Sequence, residues 1–317
     1  MTTPKNQVDT WQGKHILKLR DYKEPTSIEE LNSDELRNVV EPWLTALFQS
    51  EHLALLAGAG ISSAVHYLAT GSAGAGMCKM EISEYTDELT NVVEESAKKA
   101  GRGEANIEDE IRTLNELIRG LEILTSLGTR EKIEVKLESL KKDLEKGITN
   151  FANSVLESER NIVTCERDEP AEYLMNFLLS FASRIATRER LDLFTTNYDR
   201  IIEFGAELAG LHLIDRFVGS ISPIFRSSRL NIDIHYNPPG IRGEPRYLEG
   251  VVNFTKLHGS LDWIERNNTV RRFSLPYGAE NIKNYSLDGS LMIYPNSSKD
   301  RETAEYPYVE LFRDFAS

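Results

Sequence analysis

The sequence is poor in cysteine, which excludes the commonest kinds of structural zinc site. Cys78 and Cys165 are its two cysteines among 317 residues, and they lie far apart in the chain. A four-cysteine zinc site therefore cannot form from this chain alone. No framework of disulfides is expected either, so the sequence fits a reducing compartment and predicts a cytoplasmic protein.

Long apolar runs and an excess of basic residues are also missing. No stretch approaches the length of a membrane-spanning helix, and the segment Met1 to Arg20 lacks the apolar core of a signal peptide. Lys and Arg number 37 against 50 Asp and Glu, which gives a formal net charge of −13. Direct binding to nucleic acid or to a membrane is not expected, because phosphate contacts need clustered basic residues.

The six histidines are scattered without the spacing of metal ligands. The sequence also lacks a Walker-type Gly-Lys-Ser, a Gly-x-Ser-x-Gly and an evident pair of catalytic carboxylates. We therefore expect no metal site and none of the common hydrolase or nucleotide-triphosphatase motifs.

What is present suffices for a large folded core, since 40% of the residues are hydrophobic. Residues 1–30 are polar and carry prolines, and they predict an N-terminal arm. Residues 31–80 and 160–317 predict one α/β domain, which residues 81–159 interrupt. In its first helix, Leu36, Trp43 and Leu47 fall on one face, which predicts a helix that faces the core.

The interrupting segment, 81–159, is rich in charge and has apolar residues at helical spacing. One stripe runs from Ile107 to Leu124 and another from Ile133 to Val155, with Gly128 between them. This pattern predicts two antiparallel helices joined by a turn. Because a helical hairpin buries little area by itself, we expect this insertion to pack on the main domain or on another copy of the chain.

One short stretch organises the rest of the α/β domain. Leu53 to Ala57 is an uncharged apolar run, typical of a buried strand in a parallel sheet. It leads directly into Gly58, Ala59, Gly60, Ile61 and Ser62. Glycines between a strand and a helix permit a tight turn and close approach of a phosphate to free N–H groups at the helix start. The glycine-rich run 71–77 follows, either a plain linker or a lid over such a site.

Two later strands also end in polar residues. Leu191 to Thr195 is followed by Thr196, Asn197, Tyr198 and Asp199, and Val251 to Leu257 is followed by His258, Gly259 and Ser260. Together the three strands predict a Rossmann-like parallel sheet with helices on both faces. Their polar ends would meet at one rim, where open α/β folds bind ligands.

Each candidate group also has an ordinary structural interpretation. A lone histidine after an apolar strand, such as His258, is usually a satisfied core residue, and Asp199 can cap the helix that follows it. Alternatively, His258 can accept a proton or orient water, while Asn197 and Asp199 hold a ribose hydroxyl. The two interpretations of Asp199 are compatible with each other.

The three stretches Gly58-Ala-Gly-Ile-Ser62, Thr195-Thr-Asn-Tyr-Asp199 and Lys256-Leu-His-Gly-Ser260 resemble the signature motifs of the sirtuins, in the same order. The resemblance covers about half of the chain. It is nearest to the bacterial sirtuin-like proteins of phage defence, which hydrolyse NAD⁺.

This resemblance implies that the glycine loop holds the pyrophosphate of NAD⁺ and that Asn197, Asp199 and His258 are the catalytic set around the nicotinamide ribose. Thr196, Gly259 and Ser260 would complete the binding site. It further implies a homo-oligomer that works with a hexameric ATPase of the HerA type. The insertion and the irregular segment 219–249 are the candidates for control of such an activity.

The sequence departs from the sirtuin pattern in three places, and two other functions are alternatives to NAD⁺ hydrolysis. The zinc cysteines, the aspartate-bearing segment after the glycine loop and the later strand for adenine are not evident. An NAD-dependent protein deacylase is one alternative, and the missing zinc cysteines count against it, because deacetylating sirtuins have a four-cysteine zinc module. The other is a scaffold subunit that senses NAD⁺ or ADP-ribose without chemistry.

Overall fold

The computed structural model describes residues 33–72, 80–99, 105–128, 131–185, 188–227, 232–237, 246–282, 290–292 and 306–316. By its internal contacts the chain divides into two compact units, Met1–Leu53 and Ala54–Ser317. The predicted N-terminal arm and residues 73–77 of the glycine-rich run lie outside the described residues. The predicted boundaries of arm, domain and insertion therefore stay predictions.

The described residues form a mixed α/β structure with eight helices and eleven strands. The helices are α1 (Ser33–Phe48), α2 (Ala59–Thr70), α3 (Thr86–Lys99), α4 (Ile107–Ser126), α5 (Glu131–Val163), α6 (Glu169–Ala182), α7 (Ile201–Leu208) and α8 (Tyr308–Ala316). The strands are β1 (Ala54–Ala57), β2 (Leu191–Thr195), β3 (His212–Ile214), β4 (Phe217–Val218), β5 (Ile224–Phe225), β6 (His235–Tyr236), β7 (Arg246–Tyr247), β8 (Val251–Lys256), β9 (Gly259–Arg266), β10 (Thr269–Arg272) and β11 (Ser290–Met292).

The first sheet has four parallel strands in the order β1-β2-β8-β3. Its two central strands, β2 and β8, consist mainly of buried residues, as expected for strands covered on both faces. The three strands predicted from the apolar runs thus belong to one parallel sheet, which confirms the α/β fold class. The expectation that β1 is buried was wrong, because β1 is at the edge of the sheet and Leu56 is 55% exposed.

A second sheet of five strands, in the order β11-β9-β10-β5-β4, was not predicted from the sequence. Its pairings are antiparallel. The strand β9 begins at Gly259, and only two residues separate it from Lys256, the last residue of β8. There the chain leaves the parallel sheet for the antiparallel one, and Gly259 has a φ of 80°, which favours glycine.

The insertion contains three described helices rather than the two that were predicted. The additional helix is α3, whose apolar face is narrow and whose surface is strongly charged. The hairpin of α4 and α5 is present, and α4 begins with a capping box formed by Asn106 and Asp109. None of the described helices is both long enough and apolar enough to cross a membrane.

The core of the insertion continues into the α/β domain. Ile107 and Ile111 of α4 and Phe151 of α5 lie in one buried cluster with Tyr198 and Leu261, which belong to the two sheets and their connections. The insertion is therefore packed on the α/β domain, which is one of the two partners expected for it.

The helix α1 belongs to the N-terminal unit and contains Pro42. Trp43, which was predicted to face the core, is 62% exposed, whereas Leu44 and Leu47 are half-buried. The prediction for Trp43 was wrong, because helical spacing identifies a shared face but not what covers each position on it.

Candidate functional site

The three predicted motifs leave the parallel sheet at the same level. In the strand register, Ala57 of β1 is opposite Thr195 of β2, and Thr195 is opposite Lys256 of β8. Because these strands are parallel, the residues after them emerge at one edge of the sheet. The glycine loop, the Asn197–Asp199 turn and His258 therefore start from adjacent positions.

The glycine loop leaves the start of α2 open. Gly58 is the N-cap of α2 and supplies no side-chain cap, and no acidic residue occupies the first turn. Gly58, Ala59 and Gly60 are exposed, whereas Ile61 and Ser62 are half-buried. The N–H groups at the start of this helix and its dipole favour an anion.

The glycines are not required by the turn itself. Gly58 has an extended conformation, with φ −108° and ψ −168°, and a Cβ built on either Gly58 or Gly60 meets nothing within 4 Å. The expected reason for glycine, a tight turn, therefore does not hold. The remaining reason for glycine at these positions is the open space over the backbone, which a bound phosphate can enter.

Ser62, in the first turn of α2, links the glycine loop to the second motif, Thr195–Asp199. The Nδ2 of Asn197 donates to the Ser62 hydroxyl at 2.9 Å and to the Gly58 carbonyl at 3.1 Å. The Ser62 hydroxyl donates in turn to Oδ2 of Asp199 at 2.8 Å. Because the Gly58 carbonyl can only accept, the amide orientation is set, and Oδ1 of Asn197 is directed away from these partners.

Backbone contacts hold the Asn197–Asp199 turn in place. The Tyr198 carbonyl accepts from the N–H of Leu261 at 3.2 Å and from the Ser260 hydroxyl at 3.3 Å. Oδ1 of Asp199 accepts from the N–H of Ile201, the first residue of α7, at 3.1 Å, but the N-cap position is Arg200 and not Asp199 as predicted, because the helix begins one residue later than expected. One carboxylate thus serves both the helix and the serine of the first motif.

The insertion reaches the same turn through α5. The rings of Phe151 and Tyr198 meet edge to face, with centroids 5.6 Å apart. Further along α5, the buried carboxylate of Glu159 accepts from the backbone N–H of Arg200 at 2.9 Å and from its guanidinium at 2.6 and 3.1 Å. Burial alone would lower the pKa of Arg200, but its hydrogen bond and ion pair with Glu159 raise it overall.

His258 is half-buried and lies two residues beyond the end of β8. Its ring centroid lies 6.4 Å from that of Tyr198 and 6.3 Å from that of Phe312 on α8. The imidazole is thus near the second motif and has an aromatic neighbour on the last helix. Sequence reasoning missed Phe312, because nothing in its local pattern relates it to the motifs.

The remaining predicted site residues are less exposed to solvent than the glycine loop. Thr196 is half-buried at the end of β2, and Gly259 is buried where the chain changes sheets. Ser260 is completely buried, and its hydroxyl is directed to Tyr198. The structure therefore places Ser260 as a support of the turn rather than on the open surface of the glycine loop.

A buried charged pair beneath the turn was also missed. Lys256 is 2% exposed, and its ammonium donates to Oε1 of Glu203 at 3.0 Å and to the Asp199 carbonyl. Burial raises the pKa of the Glu203 carboxyl above its ordinary value of 4.5, and Lys256 acts in the opposite direction. The motif Lys256-Leu-His-Gly-Ser260 identifies its histidine as a candidate, but nothing in it indicates a role for its lysine.

Among the residues that the structure describes, no group of three or more His, Cys, Asp or Glu side chains could hold a metal ion. No family model matches the sequence. A search of curated proteins gave no match either.

Proposed function

We propose that this protein is an NAD⁺ hydrolase that cleaves the bond between nicotinamide and ribose. The observation that carries the proposal is the contact of Ser62 with both Asn197 and Asp199, because it joins the glycine loop to the polar turn. The start of α2 would then bind the pyrophosphate and the Asn197–Asp199 turn the ribose of the same NAD⁺ molecule. The sirtuin resemblance supports the same assignment.

In the proposed complex the pyrophosphate lies over Gly58, Ala59 and Gly60, where the helix N–H groups and the open space favour it. Ile61 and Ser62 follow in the first turn of α2. Asp199 accepts from a ribose hydroxyl, and Asn197 fixes the attacking water through Oδ1. The described residues offer no metal cluster for this role, and the proposal needs none.

The chemistry is a substitution at the anomeric carbon. The nicotinamide–ribose bond breaks with both electrons going to the nicotinamide nitrogen, which becomes neutral. A water oxygen forms the new bond to that carbon, and its proton passes to His258. Placement of water and exclusion of bulk solvent matter more here than a strong acid, because nicotinamide is a good leaving group.

The wider predictions belong to the same proposal and are supported by the sirtuin resemblance. They are a Rossmann-like sheet with helices on both faces, a cytoplasmic protein of antiviral defence that depletes NAD⁺, a homo-oligomer, and a HerA-type ATPase partner. The four parallel strands support the first of these.

The test is nicotinamide release from NAD⁺ by the purified full chain, with and without a HerA-type ATPase. We expect Asn197→Ala and His258→Ala each to lower the rate by about 100-fold or more, in line with the loss of a positioned acid–base or water-orienting group. Asn176→Ala and His212→Ala are matched controls, because both residues are exposed and lie outside the three motifs.

Normal NAD⁺ loss by both site variants would contradict the assignment. Tight binding of NAD⁺ without nicotinamide release by the wild type, even with the partner, would support a sensing scaffold instead. Formation of O-acetyl-ADP-ribose from an acetylated peptide would support a deacylase.

A further inference from the structure

Lys256 is buried at a position where a cation is costly. Its ammonium lies at the start of α7, where the helix dipole disfavours positive charge, and its side chain is 1% exposed. Its partner Glu203 has one carboxylate oxygen, Oε2, that is shielded from solvent and has no hydrogen-bond partner. Buried ion pairs of this kind are often no more stable than apolar replacements of similar volume. Fold stability therefore does not account for the pair.

The geometry offers another reason. The same ammonium donates to the carbonyl of Asp199, the residue whose carboxylate accepts from Ser62. Lys256 thus ties the end of β8 to the Asn197–Asp199 turn at the end of β2. Lys256 is two residues before His258, so the same short segment fixes the position of the turn and the position of the imidazole.

We infer that Lys256 is a positioning residue, which holds the carbonyl of Asp199 and thereby the Asn197–Asp199 turn in register with His258. Lys256 is too deeply buried to touch a substrate, so its effect passes through Asp199 and Asn197. The inference rests on the proposed function for its catalytic consequence, but the anchoring itself does not depend on it.

The decisive variant is Lys256→Met combined with Glu203→Leu. Lys256→Met alone would leave a buried carboxylate without its cation and could unfold the chain, whereas the double variant leaves no lone charge. The matched control is Lys146→Met combined with Glu81→Leu. It removes an exposed ion pair of the insertion, whose charged atoms are 2.6 Å from each other.

Three quantities are compared with the wild type: the number of ADP-ribose sites per chain by calorimetry, kcat per binding site, and amide hydrogen exchange over residues 195–201. We expect the double variant to keep its binding stoichiometry and to exchange faster only in this segment. Its kcat per site should fall about 10- to 100-fold, because a small misplacement of catalytic groups has effects of that order. The control should match the wild type.

The outcomes separate the two proposals. A kcat per site within about twofold of the wild type, a change small against the effect of misplaced groups, or unchanged exchange at 195–201 would overturn the positioning role. A loss of binding sites in step with activity would overturn it too, because it would show a structural role. If the wild type releases no nicotinamide, the proposed function fails, and the exchange measurement still decides whether Lys256 anchors the turn.

Discussion

At the scale of single residues, the contacts of Ser62 and Tyr198 explain how a short turn can be held with little freedom. The side chains of Asn197 and Asp199 both meet Ser62, while Tyr198 between them is buried against Phe151. Alternate residues of the turn therefore have different tasks. The outer two present polar groups, and the middle one ties them to the core.

The glycines of the loop make a residue-scale prediction possible, because neither packing nor backbone strain requires them. We expect Gly60→Ala, within α2, to fold as stably as the wild type or slightly better, since alanine restricts the unfolded chain. Gly58→Ala should cost no more than about 1 kcal/mol of stability, because Gly58 is the N-cap of α2 and alanine is less favourable there than glycine. We also expect both to weaken NAD⁺ binding by about tenfold or more, because a methyl group fills the path of the phosphates. Thermal unfolding and calorimetry measure the two effects.

The matched control is Gly120→Ala in α4, where a Cβ also meets nothing within 4 Å but no ligand is expected. Unchanged NAD⁺ affinity in Gly58→Ala and Gly60→Ala would show that the open space over this loop is not the phosphate site.

At the scale of elements, α5 is both the longest described helix and the one that reaches the site twice. Phe151 packs on Tyr198, and Glu159 binds the backbone and the guanidinium of Arg200. These contacts are two turns apart on the same helix. The insertion therefore supports the Asn197–Asp199 turn and does not merely extend from the domain.

We expect Glu159→Gln to lower the free energy of unfolding by about 3 kcal/mol or more, because it leaves the guanidinium of Arg200 buried without its counter-charge. Glu157→Gln, two residues earlier on the exposed face of α5, should change it by less than about 0.5 kcal/mol. Denaturant unfolding of the two variants measures the difference. Equal stability of the two would mean that Glu159 does not hold Arg200 in solution.

At the scale of the whole molecule, the insertion is also the candidate surface for assembly. Near the turn of its hairpin, Leu127 and Val135 are 76% and 73% exposed. These two side chains offer apolar area that a second copy of the chain would cover in an assembly. The predicted homo-oligomer thus has a specific place where it can be tested.

We expect Leu127→Ser combined with Val135→Ser to shift the protein to a smaller species in sedimentation velocity, because the change removes apolar area from the contact. Ile221→Ser is the control, since Ile221 is 94% exposed and lies outside the insertion. A double variant that sediments like an oligomeric wild type would place the assembly surface elsewhere. A monomeric wild type would contradict the predicted homo-oligomer.

Much of the architecture could be predicted because it depends on the pattern of apolar and polar residues within short segments. The mainly apolar runs that form β1, β2 and β8 are characteristic of parallel strands, and the polar residues after them identify the edge where they end. The α4–α5 hairpin followed from helical spacing on both sides of Gly128. The polar contact of Asp199 with the start of α7 could likewise be expected, because it depends on the next few residues only, although the cap position itself is Arg200.

Other features depend on contacts between distant segments, so no local pattern contains them. Most residues of β9 are buried, so the strand lacks the alternation of an exposed strand, and β4 to β7 have two residues each, too few for any period. The pairing of Lys256 with Glu203 and the contact of Phe312 with His258 arise only when β8, α7 and α8 meet.

The amino-acid sequence by itself determined the parallel strands, the helical hairpin and which polar residues stand at the ends of strands, because periodicity and strand-end chemistry are properties of neighbouring residues. Only the tertiary structure decided that Ser62 binds both Asn197 and Asp199, that Ser260 supports the turn from within, and that a buried lysine lies beneath it. These choices require groups separated by 50 or more residues to come within hydrogen-bonding distance, and only the packing of the whole chain specifies which of them do.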